Sequence, residues 1–152
     1  DFKPHKIYYA TVIEEADKGN DAILPLLAQY KNPNDRQRIN KLLKVNLKKA
    51  GVCSHEACEA ISNWNDPAFE WYAKAACQAT IKQEDYYADE VLQLLCAYPA
   101  PWSYQILKEL LTQKGDYSNS DIAKDYLTEL YKTHPIPPIF KPLYDKYIMK
   151  NM

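Results

Sequence analysis

The densest group of reactive side chains in this sequence lies at residues 53–58, which read Cys-Ser-His-Glu-Ala-Cys. Two thiols and an imidazole are ligands that structural zinc sites use, but those sites typically need four ligands, arranged in closely spaced pairs. The other histidines, His5 and His134, lie far away in the sequence. We therefore expect no metal ion and no cofactor at this segment.

The four cysteines suggest a second chemistry, because an even count is compatible with two disulfides and an oxidising compartment. Cys77 and Cys96 lie at similar distances from a predicted turn near residues 83–85, and antiparallel helices place such residues side by side. This spacing predicts a Cys77–Cys96 disulfide and leaves Cys53 and Cys58 as the second pair. Disulfides would place the protein outside the cytoplasm, in the periplasm or secreted. The other interpretation is that the thiols pack in the core as small apolar side chains.

Acidic residues are concentrated at Glu84, Asp85, Asp89 and Glu90. Two carboxylates on one helix face can perform acid–base chemistry, provided that a cleft perturbs their pKa values. The motifs of other common active sites are absent, since the sequence contains no Gly-rich phosphate loop, no G-x-S-x-G and no H-E-x-x-H. We therefore predict no catalytic residues and a protein that is not an enzyme.

Tyrosine dominates the aromatic residues, with 13 Tyr against 3 Trp and 3 Phe. The pairs Tyr8-Tyr9 and Tyr86-Tyr87 cannot bury both rings from one helix face, because adjacent residues point about 100° apart. Exposed Tyr and Trp beside charged residues are enriched at binding hot spots, and the other interpretation is that Trp64, Trp71 and Trp102 are core anchors. The predicted partner-binding residues are Glu84, Asp85, Tyr86, Tyr87, Asp89, Trp102 and Tyr104.

Charge is unevenly distributed along the chain. Residues 1–50 carry a net charge of +4, residues 51–100 carry −6 and residues 101–152 carry +1. A basic helix near the end of the first segment could contact nucleic acid or a membrane surface. Since the centre of the chain is acidic, we instead predict a solvated helix face, no nucleic acid, no membrane insertion and a protein partner with a basic site. The cations of this helix are Arg36, Arg38, Lys41, Lys44, Lys48 and Lys49.

Composition and periodicity predict a single all-α domain over residues 1–152. Hydrophobic residues make up 47% and charged residues 26%, which is typical of globular domains. The chain has only 3 glycines but 10 prolines. This composition favours helices that terminate at proline and disfavours a fold built from β-hairpins. No run of about 18 apolar residues is present, so no transmembrane helix is predicted. Helices are expected near residues 6–18, 20–30, 35–50, 54–64, 67–82, 85–97, 102–114, 121–133 and 139–149.

The last 85 or so residues contain a weak internal repeat. Ala88 and Leu92 correspond to Ala123 and Leu127 at an offset of 35, and the proline-rich ends of the two segments correspond at an offset of 36. The stretch that starts at Trp102-Ser103-Tyr104, passes through Gly115-Asp116 and exits at residues 135–138 resembles one tetratricopeptide-type or pentatricopeptide-type helical hairpin. That resemblance implies an α-solenoid. The other interpretation is an irregular helical bundle in which two hairpins share a length.

These observations together favour a helical scaffold that binds another protein without chemistry of its own. One version is a secreted or periplasmic inhibitor, such as an immunity protein that blocks a toxin. The alternatives are a structural subunit of a larger assembly and, with less support, a nucleic-acid-binding helical repeat protein.

Overall fold

Helices account for all regular secondary structure in the part of the chain that the structure describes. The structure, a computed structural model, describes residues 5–84, 86–113 and 119–151, and it has no β-strand within them. This confirms the all-α prediction of about seven to nine helices. The nine α-helices of these residues are α1 (Tyr9–Asp17), α2 (Leu24–Gln29), α3 (Arg36–Ala50), α4 (His55–Trp64), α5 (Glu70–Thr80), α6 (Ala88–Ala97), α7 (Pro101–Thr112), α8 (Asn119–Leu130) and α9 (Lys141–Tyr147).

The helices belong to two compact units, residues 1–82 and residues 83–152. In the first unit α2 packs against α4, α1 contacts α2 and α3, and α3 contacts α5. In the second unit α6, α7 and α8 pack against one another, and the 3-10 turn Pro138–Phe140 that precedes α9 contacts α7. The single domain expected from the sequence stays a prediction.

Three helices of the first unit begin in the same way, with an Asn or Asp side chain that caps a short 3-10 turn. Asn20, Asn32 and Asp66 each accept a hydrogen bond from the backbone N–H two residues later, at 3.2, 3.0 and 2.9 Å. These bonds satisfy N–H groups that a helix start leaves without an intrahelical acceptor. Pro33 and Pro67 occupy the first position of two of these turns, and the helix start expected at residue 67 is confirmed.

The helix ends also follow local signals. Gly51 closes α3 with φ +72°, a left-handed conformation that glycine adopts without strain. Pro99 and Pro135 lie in connections outside the α-helices, in agreement with the expectation that prolines end helices in this chain. Gly115, the predicted end of the helix before α8, lies outside the described residues.

Three of the six cations of the basic helix, α3, form ion pairs with helix-start carboxylates. Arg36, Arg38 and Lys49 of α3 each bind a carboxylate that belongs to the start of a helix, so these cations stabilise the fold of the first unit. The three carboxylates are themselves largely buried. The pairs are Arg36–Asp66 at 2.7 Å, Arg38–Asp35 at 2.6 Å and Lys49–Asp21 at 2.7 Å.

Two of these carboxylates predict how stability depends on pH. The hydrogen bond from Arg36 lowers the pKa of Asp66. Burial alone would raise the pKa of Asp21, but hydrogen bonds from Lys49 and Asn46 outweigh it and lower the pKa. A lowered folded-state pKa gives stability that is complete above the unfolded pKa, about 3.9, and is lost as the pH falls through the folded pKa. We therefore expect the free energy of unfolding to drop below about pH 4.

Urea unfolding at a series of acidic pH values tests this dependence. Asp66→Asn removes one of the titrating groups, so its stability should change less with pH than that of the wild type. Glu14→Gln is the control, because it removes an exposed carboxylate whose pair with Lys18 contributes little to stability. If the free energy of unfolding falls equally steeply with decreasing pH in the wild type and in Asp66→Asn, Asp66 does not contribute to this pH dependence.

Candidate functional site

Tyr87 has the most exposed large apolar or aromatic side chain of the described residues, at 83%. It occupies the position before the first residue of α6, in extended backbone. Glu84 and Asp89, close to it in sequence, are also exposed. Asp85, which the sequence assigned to the same surface, lies outside the described residues.

Tyr86 is held in a different way from its neighbour. Its ring is half-buried and its hydroxyl accepts a hydrogen bond from Gln113 Nε2 at 2.9 Å, just beyond the end of α7. The expectation that one ring of the pair is exposed is confirmed, and the same holds for Tyr8, which is 61% exposed. We call Glu84, Tyr86, Tyr87 and Asp89 the Tyr87 surface.

The other two predicted aromatic residues lie elsewhere in the second unit. Trp102 and Tyr104 are half-buried in the first turn of α7, whereas Tyr86 contacts Gln113 beyond its last turn. At a rise of 1.5 Å per residue, Trp102 lies about 16 Å along the helix from Gln113. The structure therefore does not bring Trp102 and Tyr104 to the Tyr87 surface.

A tyrosine that the sequence interpretation missed lies closer to that surface. Tyr126 of α8 is half-buried, and burial raises its pKa to about 12, with smaller contributions from the charges of Cys96 and Asp89. Its helix, α8, packs against α6, whose first turn carries Asp89. The repeat spacing offered a signal, because it pairs α6 with α8, but it did not indicate which residues of α8 face α6.

The exposed basic residues form a second, separate surface in the first unit. Lys41, Lys44 and Lys48 are exposed on one face of α3, and Val45 between them is 41% exposed. Within the described part of the chain, none of these lysines takes part in an ion pair. This face agrees with the solvated helix face that the sequence predicts.

A groove of about 330 Å³ opens on the first unit beside α3 and α4. Its polar groups already bind one another, since Asp21 accepts hydrogen bonds from Asn46 Nδ2 at 2.9 Å and from Lys49 Nζ at 2.7 Å. Because these carboxylate and ammonium groups are already paired with each other, they stabilise the wall of the groove and do not offer a ligand-binding site. The groove is lined by Asp21, Ala22, Asn46, Lys49, Ala50, Ser54 and Glu56.

Asn46 connects this groove to the interior of the unit. Its Oδ1 accepts hydrogen bonds from Ser54 Oγ at 2.7 Å and from the Tyr72 hydroxyl at 3.4 Å. Ser54 in turn caps α4 by accepting a hydrogen bond from the Ala57 N–H at 3.3 Å. The network joins α3, α4 and α5, and the Tyr72 hydroxyl at its inner end lies near two cysteines, Cys53 and Cys58.

The cysteines do not form the predicted disulfides. All four are thiols, so neither Cys77–Cys96 nor Cys53–Cys58 is bonded. Cys77 of α5 contacts Cys53 within the first unit instead, and Cys96 of the second unit accepts a hydrogen bond from the Tyr131 hydroxyl at 3.7 Å. The prediction assumed that α5 and α6 turn these two cysteines toward each other.

Cys53, Cys58 and Cys77 form a three-thiol cluster around Cys53. Hydrogen bonds with Cys58, and then with Cys77, lower the pKa of Cys53. The pKa of Cys77 is raised by its hydrogen bond to Cys53 and by burial. Burial likewise raises the pKa of Cys96, in the second unit, to about 11, so its shift is opposite to that of Cys53.

The described residues contain no group of three or more His, Cys, Asp or Glu side chains arranged to hold a metal ion. None of their helices has both the length and the apolar character needed to cross a bilayer.

No protein-family model, curated protein or solved structure matches this chain. The resemblance to tetratricopeptide-type hairpins therefore rests on the residues that carry it. Of these, Ala88 and Leu92 of α6 and Ala123 and Leu127 of α8 are buried, and the two helices pack together.

Proposed function

We propose that this chain is a non-enzymatic protein-binding module, and that its Tyr87 surface docks on a basic site of a protein partner. The observation that carries the proposal is the 83% exposure of Tyr87 beside exposed carboxylates. Burial of a large apolar ring stabilises a complex, and tyrosine is enriched among the residues that contribute most to binding. The side chain of Tyr86 binds Gln113 and α6 begins directly after Tyr87, so Tyr87 lies between a side-chain contact and a helix start.

Charge supports a basic partner. Residues 51–100 carry a net charge of −6, and Glu84 and Asp89 place part of it beside Tyr87. Acidic groups at the rim of an interface attract a positively charged partner and raise the association rate, and salt screens this attraction. Association is therefore expected to slow as the ionic strength rises.

The finer form of the proposal is an inhibitor, such as an immunity protein, that covers the active surface of its partner. An extracytoplasmic location belongs to this version and rests on the sequence alone, because the thiols of the structure give it no support. The alternative is a structural subunit of a larger assembly, which would bury the same surface permanently.

Tyr87→Ala tests the proposal with little risk to the fold. The ring is almost fully exposed, so its removal should leave the free energy of unfolding within about 0.5 kcal/mol of the wild type. Tyr8→Ala is the matched control, because it removes another exposed tyrosine, 61% accessible, from the first unit. Tyr86→Ala is less suitable, since it also removes the hydrogen bond to Gln113.

The experiment captures proteins from an extract of the source organism on the immobilised wild type and on each variant, and then measures the affinity of a purified captured protein by calorimetry. We expect a protein that binds the wild type and Tyr8→Ala equally, and binds Tyr87→Ala about 30-fold more weakly, or about 2 kcal/mol. A triple reversal of Lys41, Lys44 and Lys48 to Glu should change only the salt dependence.

Two results would overturn the proposal. In the first, Tyr87→Ala binds every captured protein as the wild type does. In the second, reversal of the α3 lysines abolishes capture of an acidic protein or of nucleic acid, which would make the basic face the functional surface.

A further inference from the structure

The three-thiol cluster of the first unit combines one half-buried cysteine with two fully buried ones. Cys53 is half-buried in the connection before α4, whereas Cys58 of α4 and Cys77 of α5 are both 0% exposed. The Cys53 thiol is hydrogen-bonded with both. A small reagent from solvent can therefore reach Cys53 first, and any product there is already in contact with a second thiol.

The backbone fixes Cys53 in this place. Its N–H donates a hydrogen bond to Thr80 Oγ1 at 2.9 Å, and the Thr80 hydroxyl donates to the Ala76 carbonyl oxygen at 2.7 Å. Thr80 and Cys77 are three residues apart on α5 and so share a face. These bonds hold the Cys53 segment against the face of α5 that carries Cys77.

We propose that Cys53 is a site of oxidation by hydroperoxides, and that Cys58 or Cys77 converts the oxidised Cys53 to a disulfide within the first unit. This inference is independent of the proposed binding function, because it concerns another unit of the chain. It differs from the pairing expected from the sequence, because Cys96 takes no part in it and the disulfide forms only after oxidation of Cys53.

The chemistry proceeds in two steps. The Cys53 thiolate attacks one oxygen of the hydroperoxide, so that an S–O bond forms, the O–O bond breaks and the leaving alkoxide or hydroxide takes up a proton. Sulfur loses two electrons and the peroxide gains them, which gives a sulfenic acid. The thiol of Cys58 or Cys77 then attacks this sulfur, forming the S–S bond and releasing the sulfenic oxygen as water with the thiol proton.

Local electrostatics support the first step. Hydrogen bonds from the neighbouring thiols lower the pKa of Cys53, and the thiolate is the nucleophile. Cys53 also lies next to the start of α4, where the helix dipole favours a negative charge. Cys96, whose pKa burial raises to about 11, is the matched control within the same chain.

The test uses hydrogen peroxide on the reduced full chain, followed by acid quench, denaturation in an alkylating reagent, intact mass measurement and non-reducing peptide mapping. We expect the loss of two hydrogen atoms and a disulfide from Cys53 to Cys58 or Cys77, with Cys96 alkylated. In the untreated native chain, Cys53 should react with iodoacetamide at least about tenfold faster than Cys96.

Variants separate the proposal from incidental oxidation. Cys53→Ser should abolish the disulfide, whereas Cys96→Ser should form it at the wild-type rate. The map of the wild type decides the matter even if a variant fails to fold. A disulfide that includes Cys96, a chain without any disulfide, or Cys53 oxidised only to sulfinic or sulfonic acid would overturn the proposal.

Discussion

Replacing Phe69 by alanine is expected to lower the free energy of unfolding of the first unit by about 3 to 5 kcal/mol. The Phe69 side chain is 0% exposed, and its ring meets that of Trp64 edge to face, with centroids 5.1 Å apart and planes at 69°. The variant loses the transfer free energy of the ring, leaves a cavity and removes an aromatic pair that contributes about 0.5 to 1.5 kcal/mol beyond its buried area.

Urea unfolding followed by far-ultraviolet circular dichroism measures this loss. Val45→Ala is the control, because it also shortens an apolar side chain of the first unit, but one that is 41% exposed. The control should stay within about 0.5 kcal/mol of the wild type. If both variants unfold at the same urea concentration, Phe69 is not the packed residue that the structure describes.

The predictable part of the fold is the part that local chemistry decides. Pro33 and Pro67 begin helical turns because proline lacks an N–H that the first turn does not need. Gly51 ends α3 because it adopts a positive φ without strain. Such signals act over a few residues, so a single sequence contains them in full.

The pairing of the cysteines could not be predicted from such local signals. A disulfide prediction needs the rotation of each helix about its own axis, which the packing of whole apolar faces decides. Cys77 shares the buried face of α5 with Ala73, Ala76 and Thr80, and that face contacts Cys53. Spacing around the predicted turn near residues 83–85 could not supply this orientation.

The same limit explains the division of the predicted binding surface. Tyr86 and Tyr87 are adjacent in sequence, and the extended backbone at Tyr87 turns successive side chains to opposite sides, which accounts for their different exposure. Trp102 and Tyr104 were predicted to share a surface with these tyrosines only because of their residue type. The short connection between α6 and α7 makes these helices antiparallel, and it therefore places the start of α7 far from the start of α6.

Asn46 is a residue that periodicity could have identified. Ile39, Leu42 and Leu43 lie on the buried face of α3, and a residue three positions after Leu43 falls on the same face. Asn46 is accordingly only 5% exposed. A polar side chain in that position requires hydrogen-bond partners, because burial without them is costly.

Asn46→Leu is expected to lower the free energy of unfolding of the first unit by about 3 kcal/mol, because each buried group left without its partner costs about 1 to 3 kcal/mol. Asn46 Nδ2 donates to Asp21 at 2.9 Å, and Asn46 Oδ1 accepts from Ser54 Oγ at 2.7 Å and from the Tyr72 hydroxyl at 3.4 Å, so leucine removes all three bonds. Asn40→Leu on the same helix is the graded control. Asn40 Oδ1 accepts one bond, from Trp71 Nε1 at 2.7 Å, in a half-buried place, and its loss should cost about 1 kcal/mol. Urea unfolding of the two variants gives the comparison, and a loss for Asn46→Leu no larger than that for Asn40→Leu would mean that the network beside the groove contributes no more than one ordinary hydrogen bond.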